Sequence, residues 1–133
     1  MSTDDLYPPG ILARIPDLET YRALPLAEPL PGQRRIFQRA LELAREAGLR
    51  LPAFQLTWVA GGTTLYGATI HSPGGSDLEV MLSVDLMPHQ LFRTSLHELA
   101  HVHDVARGYD FRSHREEMER RALAFERRVG ARG

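Results

Sequence analysis

Apolar positions recur along this chain in two distinct periods. Between Gln33 and Gly48 they return every three to four residues. Ile36, Phe37, Ala40, Leu41, Leu43 and Ala44 make one side of a helix. Arg34, Arg35, Arg39, Glu42, Arg45 and Glu46 make the other, and Gly48 suits the position just past the helix end. Phe54–Val59 and Thr64–Ile70 alternate instead, and Gly61-Gly62 between them predicts a β-hairpin. Leu78 to Asp85 reads as a third strand, more apolar and so more buried. Pro88 then fits the first turn of a helix that carries Leu91, Phe92, Leu96, Leu99 and Val102 as a stripe and closes at Gly108. After the connector Tyr109–Arg112, Ser113 can cap a last helix reaching about Val129, with Glu116 at the capping-box position. Its core face is Met118, Ala122, Phe125 and Val129, which cluster within roughly 60° at ~100° per residue. Helices and strands in this order predict an α+β fold with a small mixed sheet.

Residues 1–33 behave differently. Six prolines (Pro8, Pro9, Pro16, Pro25, Pro29, Pro31) forbid a long helix there and favour an extended arm. Ile11, Leu12, Ile15, Leu18, Tyr21 and Leu24 are too apolar for a free tail, so the arm is expected to pack on a single domain spanning 34–133. The composition narrows the function classes. A net charge of −1 offers no footprint for nucleic acid or an anionic membrane. No apolar run approaches the ~20 residues that span a bilayer, so a soluble cytoplasmic protein is expected. The absence of cysteine excludes disulfides and thiolate sites, leaving His and carboxylates as metal donors.

The chemistry concentrates in His97-Glu98-Leu99-Ala100-His101, an H-E-x-x-H motif. On a helix His97 and His101 stack one turn apart on one face, where two imidazoles can reach one Zn²⁺ at about 2.0–2.1 Å. Glu98, beside the first ligand, can take a proton from water activated by the metal. The plain alternative is an exposed helix that happens to carry these residues; the apolar stripe on its other face argues against it. Zinc ordinarily wants three protein ligands and a water. The downstream candidates are His103, Asp104, His114, Glu116, Glu117, Glu119 and Glu126. Glu116 falls roughly opposite the core face of the last helix and is disfavoured, and periodicity does not choose among the rest.

With these residues the chain resembles the zincin metallopeptidases, in particular the small gluzincins, whose third ligand is a Glu on a helix following H-E-x-x-H. Several members carry Ala three residues and Phe six residues after that Glu, a spacing matched by Glu119, Ala122 and Phe125. The upstream part is similar to the SprT-like group: a helix, a Trp-containing strand (Trp58), a Tyr66-Gly67-Ala68 strand, and a further strand before the motif helix. Two positions differ from the relatives. Arg107-Gly108-Tyr109 stands where SprT-like proteins place a third His, and Leu123 stands where some gluzincins place an acidic residue that supports a ligand. The resemblance implies a zincin-like fold with His97, His101 and Glu119 as metal ligands. It implies Zn²⁺ as cofactor and Tyr109 as a phenol that stabilises the oxyanion.

The expected function is therefore a zinc metallopeptidase acting on a peptide or protein substrate, with Glu98 as general base. The strand around Val80–Asp85 is expected to be the edge strand that aligns an extended substrate. Two other readings compete: a non-catalytic zincin-like binding or regulatory module, and a closed structural site in which His103 or His114 replaces the water. The arm of residues 1–33 has two possible seats, the far side of the sheet as ordinary core, or across or beside the metal site as an inhibitor.

Overall fold

Glu79–Ser83 is buried along its whole length, and this decides the sheet. A strand buried on both faces belongs in the middle, where each side of it is covered. The computed structural model describes residues 18–72 and 75–132. It contains α1 (Leu18–Arg22), α2 (Pro31–Glu46), β1 (Gln55–Val59), β2 (Gly67–Ile70), β3 (Glu79–Ser83), α3 (Pro88–Ala106) and α4 (Phe111–Gly130). The strand order is β1-β3-β2, with β1 parallel and β2 antiparallel to β3. The fold is thus α+β with a small mixed sheet.

Two sequence expectations are corrected here. Phe54–Val59 and Thr64–Ile70 do not pair as a hairpin, because β3 lies between them. The Gly61-Gly62 turn docks on the far end of β3 instead. Gly61 N–H donates to Ser83 Oγ at 3.1 Å and Gly62 N–H to Asp85 Oδ2 at 2.7 Å. A Cβ on Gly61 would lie 2.3 Å from the Leu65 carbonyl oxygen, so only glycine fits that approach. For the same reason the strand around Val80–Asp85 is not an edge strand. The antiparallel edge beside the motif helix is β2.

The sheet's two faces have separate partners. Trp58, Val80 and Leu82 join Phe37, Leu43, Leu91, Leu96, Leu99, Met118 and Phe125 in the main core, under α2, α3 and α4. Val59, Leu65, Ala68 and Met81 form a smaller cluster on the opposite face, and Tyr21 and Leu24 pack against it. α1 is held there by Arg22, whose guanidinium donates to both oxygens of buried Glu79 at 2.6 and 3.0 Å. Further along, Leu26 bridges to Val59 beside β1. Tyr21 and Leu24 of the proline-rich arm thus pack on this second face, with Leu26 beside the β1 edge, while the Tyr21 phenol comes within electrostatic reach of Glu98 and Glu119. Residues 1–17 lie outside the described residues.

α3 begins at Pro88 as its pattern predicts, and Gly108 closes it with φ +98°. α4 starts earlier than expected. Its cap is Asp110, whose carboxylate accepts from Ser113 N–H at 2.7 Å, so Ser113 lies inside the helix and not at its cap. The backbone departs from helical geometry at His114 (φ −128°, ψ 21°), so the first turn is offset from the rest. Among the described residues no helix is long and apolar enough to cross a membrane.

Candidate metal centre

One turn of α3 separates His97 from His101, and their rings stand edge to face with centres 4.7 Å apart. α4 packs alongside and presents Glu119 to both. Its Oε2 lies 3.1 Å from His97 Nε2 and its Oε1 2.8 Å from His101 Nε2. The three donor atoms fall within 4.8 Å of one another, and both imidazoles are buried. This group could hold a metal ion. A carboxylate bridging two imidazole nitrogens is a convergence of donors on one point, and two nitrogens with one oxygen suit a borderline cation.

The orientation of His97 supports this use. Its other nitrogen, Nδ1, lies 2.9 Å from Glu126 Oε1, deep in the core. A carboxylate only accepts, so Nδ1 carries the proton and Nε2 is the nitrogen that faces the Glu119 side. Glu126 is itself neutralised by Arg93, whose Nε is 3.3 Å from Oε2. Sequence reasoning counted Glu126 only as an alternative ligand. Its seven-residue spacing from Glu119 is the signal that places both on one helix face, because seven steps fall just short of two turns.

Burial opposes a charge on His97, but the hydrogen bonds it donates to Glu119 and Glu126 outweigh it and raise its pKa to about 10. Glu119 moves the other way. Burial pushes its carboxyl up, yet the two imidazoles hold it well below the usual carboxylate range. The two carboxylates therefore favour a positively charged His97 between them.

Glu98 points to the opposite flank, toward β2. It is buried and accepts a hydrogen bond from Thr69 Oγ1 at 2.7 Å. Desolvation raises its pKa, partly offset by the two histidines and by Thr69. β2 comes this close because Gly67 has no side chain. A Cβ there would lie 2.8 Å from Thr94 Cγ2 and 3.2 Å from Glu98 Cγ.

The remaining candidates have other partners. His103 Nδ1 accepts from Arg50 N–H at 2.8 Å, tying the motif helix to the start of the sheet region. His114 Nδ1 accepts from Asp110 N–H at 3.3 Å and packs on Tyr109. Asp104 binds Arg121 through both oxygens at 2.9 and 3.0 Å, and Glu117 acts electrostatically on the same arginine. Tyr109 lies under that guanidinium, 5.3 Å from its ring centre. A phenol that lies in the field of Glu98 and Glu119 is Tyr21 on α1. Its burial and these two carboxylates raise its pKa to about 12, against the pull of Arg115. Nothing local in the sequence marks Tyr21 for this position, since the fold brings it there over more than seventy residues. Compared with family models, with characterised proteins and with solved structures, the chain matches none.

Proposed function

We propose that this chain is a zinc-dependent metallopeptidase, with His97, His101 and Glu119 as ligands and Glu98 as general base. The observation that carries the reading is the division of labour around the two histidines. Three donors converge on one side, while a buried carboxylate that is not one of them waits beside the site on Thr69. A structural site has no use for that carboxylate. A zinc ion held there would supply Lewis acidity toward a carbonyl and toward water. The rest is done by the chain's own groups. Glu98 Oε1, fixed by Thr69, accepts a proton from the attacking water and returns it to the leaving amine, and its raised pKa suits both transfers. Glu126 keeps His97 in one tautomer.

Substrate would lie along β2, whose outer edge has no strand partner among the described residues. Tyr66 accepts from Ser83 N–H. By alternation along the β2–β3 ladder, Gly67 and Thr69 then turn their backbone groups outward, beside Glu98. An extended peptide can pair with that edge. The closed-site alternative loses support because His103 and His114 are committed to Arg50 and Asp110.

The test is Glu98→Gln, which keeps shape and removes the base. Zinc content should stay at the wild-type level, while cleavage of a casein-type substrate falls by at least ~10²-fold. Equal cleavage by both proteins would defeat the proposal.

A further inference from the structure

Beyond Phe111 from the site stands a cation that this chemistry does not use. Arg115 lies four residues before Glu119, the spacing of neighbours on one helix face, and just past the offset first turn that carries Phe111. The Phe111 ring stands edge-on to His101 with centres 4.9 Å apart, and the Arg115 guanidinium carbon lies 5.3 Å from the Phe111 ring centre. The guanidinium is therefore within about 10 Å of the His101 ring. It also acts electrostatically on Tyr21, as Glu98 and Glu119 do.

Arg115 differs from Arg93 on α3 and Arg121 on α4. Arg93 pairs with Glu126, and Arg121 binds Asp104 with two hydrogen bonds. Arg115 has no carboxylate within ion-pair reach among the described residues, and its buried Nε has no hydrogen-bond partner. The nearest acid along its own face, Glu119, is held between two imidazoles. Burying a guanidinium donor without an acceptor costs free energy, and an arriving anion would supply the acceptor.

We propose that Arg115 binds a carboxylate of the substrate, making the site selective for peptides that carry one close to the scissile bond. The planar guanidinium offers paired donors that match a carboxylate. An extended chain advances about 3.3–3.6 Å per residue, so the distance from His101 puts this carboxylate roughly one to three residues from the bond cut. It is a chain-terminal α-carboxylate or an Asp or Glu side chain. The inference rests on the metallopeptidase reading for its substrate class, but its test does not need turnover.

The experiment uses the full chain loaded with zinc and carrying Glu98→Gln, so that ligands persist. Calorimetry compares three N-acetylated tripeptides: a free acid, its amide, and an amide with one internal Glu. The free acid should bind about tenfold or more tighter than its amide, and Arg115→Gln should erase the difference while zinc content holds. Arg115→Lys, which keeps charge but not the fork, should restore part of it and serves if the Gln variant does not fold. The same preference shown instead by the Glu-containing amide identifies a side chain as the source of the carboxylate. Equal binding of all three peptides overturns the proposal. So does a preference that survives Arg115→Gln, since the metal alone would then be drawing the carboxylate. Turnover by the Glu98 wild-type protein on amidated peptides tests the peptidase reading separately. Its absence would leave an Arg115-dependent carboxylate site standing.

Discussion

Glu126 Oε1 sits 2.9 Å from Nδ1 of His97, on the side of the imidazole away from Glu119. One helix, α4, thus supplies both the carboxylate that would share the metal and the carboxylate that orients a ligand. Partners of the second kind usually cost 10–100-fold in metal affinity when removed. Glu126→Gln should therefore weaken zinc binding by about that factor without abolishing it. Glu119→Ala should cost more, and Glu117→Ala nothing. A competition titration against a chromogenic chelator reads all three. Unchanged affinity in Glu126→Gln would show that the contact is only a packing feature.

Metal binding itself has a stability signature. A ligand that binds only the native state adds about 2.7 kcal/mol at one hundred times its Kd. One zinc per chain should raise the melting temperature, and a chelator should reverse the change. His97→Ala and His101→Ala should each remove both effects. Full occupancy in the double variant would mean that the metal sits elsewhere.

The parts of this site differ in how legible they were. H-E-x-x-H is local, so helix periodicity alone puts His97 and His101 on one face. Met118, Ala122, Phe125 and Val129 were equally readable, and all four are buried. Glu119 was singled out only by the resemblance of its spacing to that of the small gluzincins, because periodicity left several acids on usable faces. Glu126 was within reach of geometry, seven residues from Glu119, but that spacing gains meaning only once Glu119 is fixed. The expected hairpin that does not form has another cause. Gly61-Gly62 is a true turn signal, but it says nothing about which strand sits next to β1. The fully buried β3 won that place, which exposed β2 as the edge. Thr69 meets Glu98 across 29 residues of sequence, Arg22 meets Glu79 across 57, and Tyr21 feels Glu98 from farther still, and no periodicity encodes such contacts.

Gly67 tests whether the close approach of β2 to α3 matters. An added methyl would meet Thr94 and Glu98 at 2.8 and 3.2 Å and the Met81 carbonyl oxygen at 3.2 Å. Overpacking of this kind typically costs about 1–3 kcal/mol. Gly67→Ala should melt several degrees lower and lose activity by displacing Glu98 from Thr69, with zinc affinity preserved. A variant with wild-type melting and wild-type turnover would show that β2 can retreat at no cost.

The clasp between Arg22 and Glu79 predicts a pH dependence remote from the metal. The hydrogen bond from Arg22 is the largest influence on Glu79. It lowers the carboxyl below its ordinary value of 4.5 despite burial, with help from Thr57. A carboxyl with a depressed folded pKa contributes stability above the unfolded value and loses it as pH falls through the folded one. Arg22 is half exposed, so the pair is screened and worth about 1 kcal/mol, which is roughly 3–5 °C in a domain of this size. Arg22→Ala should therefore melt a few degrees below wild type at neutral pH. The gap should close as pH drops below about 4.5, because protonation of Glu79 removes the wild-type advantage. Melting curves across that range, with zinc held constant above pH 6 and a zinc-free series throughout, decide the matter. A gap of constant size down to pH 3 would assign the loss to packing of the Arg22 stem and remove the charge from the explanation.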